Sequence, residues 1–319
     1  MITAALLLAA ALLAVVHGSN AGGTLLSAGL GVRSVRPVVG VLVIALGVGL
    51  APLLLGTDVA TTMAKDLVGL DGRAGELALL VAVLSAMVVT SLLSRRGLPT
   101  SLTLALLGGL AGVGVGAGMP VGWGHVGLVL LGVALAPLAG LVVCNVLARL
   151  MRRTPFGSDV GRGLRRLHVV TFSLLSLAFG SNDAQKLLAV AAVAAGPVGD
   201  RVEPRWWQLA AIGVLFALGT VLGARRMAAT INSGLLPVRT ADAVVAELAT
   251  ALVMFGSTGL GSPVGMAQTL SGALVGTGLT RGVGRIRWEH VLRIAGAWVV
   301  TLPAAFAAAA LLGVAVSGW

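Results

Sequence analysis

Eight apolar runs decide what this chain can fold into: Ile2 to Val16, Pro37 to Leu55, Glu76 to Leu93, Val126 to Leu150, Leu167 to Phe179, Trp206 to Gly223, Ala241 to Phe255 and Val291 to Val316. A hydrocarbon core takes about 20 helical residues, and most of these runs can span it. Of the 319 residues, 57% are hydrophobic and only 10% charged, too little polar surface to face water. The reading is an all-α polytopic membrane protein, a multi-pass protein of the cell membrane with the lipid bilayer as its partner. Between the runs lie shorter stretches that are Gly-rich or open on a polar residue: Ala21 to Gly31, Pro99 to Gly118, Ala184 to Gly196 and Pro263 to Leu279. These are expected to be broken or re-entrant half-helices, because irregular backbone at membrane depth survives only under a protein or water cover. Together the stretches make about 10 to 12 membrane segments.

The net charge is +11. In a soluble domain that would suggest nucleic acid. Here the basic residues gather at the ends of apolar runs, as the positive-inside rule requires, so no nucleic-acid partner is expected. The densest cluster, Arg149, Arg152, Arg153, Arg162, Arg165 and Arg166, surrounds the turn-like Thr154-Pro155-Phe156-Gly157-Ser158. It is read as a cytoplasmic linker, residues 151–166, between membrane halves 1–150 and 167–319. Cys144 is the single cysteine, which excludes an intrachain disulfide and suits a small packing residue. No Lys or Arg precedes Arg33 and no clear cleavage site follows the first apolar run, so that run is read as an uncleaved helix.

The halves echo each other. Gly18-Ser19-Asn20 follows one apolar run and Gly180-Ser181-Asn182 another; later come Gly97-Leu98-Pro99 and Gly261-Ser262-Pro263, in the same order. Paired interruptions in corresponding positions point to a transporter's midplane site. Periodicity alone leaves open whether such repeats are inverted or parallel.

The second Gly-Ser-Asn opens a polar island, Gly180 to Lys186. An unpaired charge at membrane depth costs roughly 2.5 to 3.5 kcal/mol, so Asp183 and Lys186 need partners or a ligand. Three residues apart on a helix they can pair with each other. Alternatively, the oxygens of Asn182 and Asp183 suit a sodium ion or a transferable proton. An oxyanion would seek helix N-termini, which offer free N–H groups and partial positive charge. Pro99 and Pro263 suit the first turn of a helix, and Ser101, Thr103 and Gln268 supply donors nearby, unless they serve only as caps or interhelical bonds. Glu247 lies within an apolar run and is a candidate functional carboxylate, whereas Glu76, His125, His168 and His290 read as interfacial. His17 reads as a packed neutral histidine or a proton relay. No phosphate loop, zinc motif or Cys-x-x-Cys occurs, and no nucleophile is paired with a base, so no enzyme activity and no cofactor beyond a bound sodium or proton is expected.

Gly180-Ser181-Asn182-Asp183-Ala184-Gln185-Lys186 resembles the second motif of the inorganic phosphate transporter (PiT) family, whose hallmark is a duplicated Gly-x-Asn-Asp. The likeness continues through Leu218-Gly219-Thr220, Gly223, Arg225-Arg226, Ala246-Glu247, Gly261-x-Pro263, Gln268, Ser271-Gly272, Val275-Gly276 and Trp298 to Leu302-Pro303. It implies two inverted repeats and a secondary transporter that takes up phosphate with protons or a cation by alternating access. It also implies an anion site drawn from Asn20, Ser101, Thr103, Asn182, Gln185, Lys186 and Gln268. Coupling ions would be held by Asn20, Asn182, Asp183 and Glu247, with sodium placed at Asn182 and Asp183. The departures are Ala21 and Thr24 where the first motif's Asp and Asn are expected, Leu104 for a His, and Gly265-Met266-Ala267 for a Ser-Thr-Thr. One carboxylate is thus lost, which shifts the expectation to protons or a single cation, with Lys186 supplying part of the missing charge. The alternative is a degenerate member that binds an oxyanion, phosphate or sulfate, in a regulatory or scaffolding role. A homodimer stands as an open expectation.

Overall fold

A computed structural model describes residues 2–30, 34–70, 72–96, 100–153, 160–232 and 240–316. Apart from an isolated bridge between Val68 and Val121, the regular structure of these residues is helical. The chain runs α1 (Ile2–His17), a π-helical turn (Gly18–Gly22), α2 (Gly23–Leu30), α3 (Pro37–Leu55), α4 (Asp58–Thr61), a second π-helical turn (Thr62–Asp66) and α5 (Gly72–Arg95). It continues through α6 (Leu102–Ala117), α7 (Trp123–Arg153), α8 (Val160–Ala194), α9 (Trp206–Asn232), α10 (Thr240–Gly259), α11 (Met266–Leu279) and α12 (Trp288–Val316). Seven helices among the described residues are long and apolar enough to cross a membrane, the first of them reading through α1 and the π turn to Ser27.

The outer faces are apolar, as lipid requires. Leu128, Leu131, Leu135 and Leu138 line the exposed side of α7, and Leu42, Leu46, Leu50 and Leu53 that of α3. Trp123, Trp206 and Trp288 each begin a helix with an exposed indole, which suits the membrane–water interface. The polar residues instead face inward, with Asn20, Ser101, Thr103, Asn182, Asp183, Lys186, Glu247 and Gln268 all buried.

Short helices α6 and α11 form the centre. Every residue of α6 from Leu102 to Gly114 is buried. Each short helix lies on a long helix from the other half of the chain, α6 on α12 and α11 on α7. The same exchange joins α1 and its π turn to α9, and α3 to α8. Small residues permit this, because lipid tails give helices no hydrophobic reason to associate and close van der Waals contact must supply it. Gly108, Gly112 and Gly116 form one stripe along α6, and a Cβ at Gly112 would lie 2.3 Å from the carbonyl oxygen of Phe306 in α12.

Two of the four expected half-helices are found and two are not. Helices α6 and α11 do start inside the protein, each after extended residues, Ser101 and Gly265. Pro99 lies outside the described residues. By contrast, Gly180 to Lys186 interrupts nothing: α8 runs for 35 residues straight through the island. Its polar side chains find partners on neighbouring helices, so the backbone has no need to open. At the first motif the helix does not stop either. It widens into the π turn, and Thr24 Oγ1 donates back to the Asn20 carbonyl at 2.8 Å. The expected linker is largely the ends of two helices, since α7 reaches Arg153 and Arg162, Arg165 and Arg166 already belong to α8. Residues 154–159 lie outside the described set.

Candidate functional site

Two asparagines each grip the extended segment that precedes a short helix. Asn182 Nδ2 donates to Ser257 Oγ and to the Ser262 carbonyl, each at 3.0 Å, and lies 3.3 Å from Thr258 Oγ1, while its Oδ1 accepts from the Val264 N–H at 2.9 Å. Asn20 Nδ2 donates to Thr100 Oγ1 and approaches the Thr100 carbonyl at 3.5 Å. That carbonyl can only accept, so the amide end of Asn20 faces it and Oδ1 points elsewhere. The next residue after Asn182, Asp183, caps α11: its Oδ2 accepts from the Met266 N–H at 2.8 Å, and its Oδ1 accepts from Lys186 Nζ. Lys186 Nζ also donates to the Val264 carbonyl. The self-neutralised pair and the gripped half-helix are therefore one device.

The two short helices are capped differently. Asp183 reaches α11 from a neighbouring helix because Gly265, the residue before it, has no side chain to do so. In the first half Ala21 has no carboxylate, and Ser101 caps α6 locally by accepting from the Leu104 N–H at 3.3 Å. The two helix starts meet where Ser101 Oγ donates to Gln268 Oε1 at 3.3 Å. Gly265 keeps this meeting open, since a Cβ there would lie 2.6 Å from Gln268 Oε1.

Several buried polar atoms near these starts make no hydrogen bond within the protein: Asn20 Oδ1, Thr103 Oγ1 and both ring nitrogens of His17. A buried group left without a bond forfeits about 1 to 3 kcal/mol, so unpaired atoms clustered by two helix N-termini point to a ligand. Donors and partial positive charge there suit an anion. His17 stacks on Phe179, lies edge-on to Phe216, and places Nε2 4.0 Å from Asp183 Oδ1.

Not every candidate reaches this centre. Gln185 is spent on α4 and its own helix: Nε2 donates to the Gly56 and Ser181 carbonyls at 2.8 and 2.6 Å, and Oε1 accepts from the Ala60 N–H at 2.9 Å. Glu247 lies ten residues before Ser257 on unbroken α10, roughly 15 Å along the axis from the Asn182 grip. There it forms a second buried cluster. His168 Nε2 lies 3.1 Å from Glu247 Oε1, Thr171 Oγ1 donates to Glu247 Oε2 at 2.6 Å, and Ser34 Oγ bonds His168 Nδ1. His168 was expected at the interface and is instead fully buried, because α10 packs over that face of α8 and brings Glu247 to it. Sequence reasoning also passed over Ser257 and Thr258. Their signal was a hydroxyl pair closing an apolar run just before Gly261-x-Pro263. Sodium at Asn182 and Asp183 finds its oxygens engaged, as Asn182 Oδ1 and both Asp183 oxygens already accept hydrogen bonds.

A profile of the "Phosphate transporter family" matches residues 18–160 and again 155–309, so each of the two asparagine grips falls within its own match. The chain belongs to the phosphate transporter family. Relatives within this family include the "Probable low-affinity inorganic phosphate transporter" of Mycobacterium leprae (strain TN), 35% identical over 263 residues, which is 79% of this chain and 63% of that protein. The Rhizobium meliloti (strain 1021) protein of the same name is 30% identical over 272 residues, 82% of this chain and 80% of its own length. The chain thus spans just under two thirds of the mycobacterial relative. A solved structure named "The sodium-dependent phosphate transporter" superposes with a TM-score of 0.85 over 98% of both chains at 17% identity, which shows the shared fold. A family of this kind, with its apolar helices, places the protein in the cell membrane as a multi-pass integral protein.

Proposed function

We propose that this protein carries inorganic phosphate across the cell membrane as a secondary transporter. Transport is coupled to protons or another cation and works by alternating access between two inverted repeats, 1–150 and 167–319, joined by a basic cytoplasmic linker. One observation carries the reading. Two half-helix starts from opposite halves meet at Ser101 and Gln268, beside buried polar atoms that no protein group satisfies. The exchange of packing partners, α6 with α12 and α11 with α7, supports a relation between the halves.

The chemistry favours phosphate over sulfate. Thr103 Oγ1 can donate to an anion oxygen, whereas Asn20 Oδ1 can only accept. Phosphate near neutral pH carries both bare oxygens and an O–H, so it satisfies both atoms, while fully ionised sulfate has no proton for Asn20. A site built to accept a ligand hydroxyl rejects the analogue lacking it, since its own buried group is then left unpaired. The names of the relatives, inorganic phosphate transporters, agree.

The test is radiolabelled phosphate uptake by the purified protein in proteoliposomes. Saturable uptake above protein-free vesicles is expected, with sulfate a weak competitor. Asp183→Asn exchanges a charge-assisted cap and ion pair for neutral ones and should slow uptake about tenfold or more. Phosphate binding without any uptake would instead favour an oxyanion-binding regulator or scaffold, and an unchanged rate in the Asp183 variant would remove the mechanism.

A further inference from the structure

Lys186 is fully buried, and its Nζ is held between a carboxylate oxygen, Asp183 Oδ1, and a backbone carbonyl, that of Val264 in the unwound stretch before α11. A carboxylate with unwound carbonyls at a half-helix is the oxygen set a coupling sodium would use. We propose that the Lys186 ammonium is a resident cation, tethered in the place where a transported sodium would have to bind at Asp183, so that this carboxylate does not take part in sodium coupling.

The remaining oxygens agree with that assignment. A hard cation needs several oxygen ligands at once. Here Asp183 Oδ2 is committed to the Met266 N–H and Asn182 Oδ1 to the Val264 N–H. The first half of the chain gives an independent comparison. Asn20, Ala21 and Thr24 stand at the spacing of Asn182, Asp183 and Lys186, so the carboxylate and the ammonium are absent from it together. Thr24 spends its hydroxyl on the Asn20 carbonyl. One copy carries both charges and the other neither, which leaves no uncompensated negative charge for a sodium in either motif. A tethered ammonium also differs from a bound ion in one respect: it cannot dissociate into the cell at the end of a transport cycle.

The inference builds on the transport reading, but its first readout is binding. Purified wild-type protein is melted in sodium chloride and in choline chloride at equal ionic strength, and the two melting temperatures should agree within about 1 °C. In Lys186→Ala, the exposed carboxylate and carbonyl should admit the ion, and sodium should raise the melting temperature saturably by about 2 °C or more. The double variant D183N/K186M, uncharged at both positions as the first motif is, should show no response. Saturable sodium stabilisation of the wild type that Asp183→Asn abolishes would overturn the proposal, as would a folded Lys186→Ala protein indifferent to sodium. Should Lys186→Ala not fold, the wild-type and double-variant arms still decide. In proteoliposomes, wild-type uptake should run equally with external sodium or choline. If no uptake is seen at all, the transport reading fails while the melting comparison still judges this one.

Discussion

At the scale of single residues the protein separates side chains that hold structure from those that wait for a ligand. Asn182 uses both ends of its amide on protein partners, while Asn20 uses only one. Thr103 is buried with an idle hydroxyl, so Thr103→Val should leave the melting temperature unchanged or slightly raised, since no protein bond is lost. If that hydroxyl donates to phosphate, the same variant should raise the KM for uptake about tenfold. A lowered melting temperature with unchanged KM would make Thr103 a structural residue. The sequence showed part of this: a charge inside an apolar run must find a partner, and Lys186 three residues after Asp183 was one of the two partners it offered, the other being a bound cation. The cluster of His168, Thr171 and Glu247 was not legible. Its members are 76 or more positions apart except for the local His168–Thr171 bond, and only the packing of α10 on α8 buries the histidine.

Elements show where a polar interruption breaks a helix and where it does not. The Gly-x-Pro signal does mark a break before α11, but Pro263 stands in the extended stretch ahead of the N-cap Gly265 and not in the first helical turn, where the sequence placed it. Gly180-Ser181-Asn182 was misread as a second break, since the sequence does not display the partners that satisfy it. Ser257, Thr258 and Ser262 lie 75 to 80 residues away and let α8 pass through unbroken. Gly180 serves close approach. A Cβ there would lie 2.0 Å from the Gly47 carbonyl oxygen and 2.8 Å from Ala51 Cβ, with backbone rather than a flexible side chain in the way. Gly180→Ala should therefore force α3 and α8 apart and cost about 1 to 3 kcal/mol of stability, read as a lower melting temperature. A melting temperature equal to that of the wild type would show that the two helices can part without penalty.

Across the whole molecule the two chain halves hold each other's short helices. A ligand seated between Asn20, Thr103 and the start of α11 would bind across that exchange rather than within one half. Phosphate should accordingly raise the melting temperature of the purified protein saturably, and sulfate should do so only at higher concentration. Equal stabilisation by both anions would argue against the role given to Asn20 Oδ1. The exchange itself could not be read from the chain, where the glycine stripe of α6 announces only a close neighbour and not which one. A consequence attaches to the length of α8. Its 35 residues extend about 52 Å, well beyond the roughly 30 Å of the lipid interior. A rod of that reach must protrude into water, and the end bearing Arg162, Arg165 and Arg166 is the charged one. That arginine-studded tip and the Asn182 grip on Val264 therefore share one continuous helix, about 24 Å apart along its axis from Arg166 to Asn182.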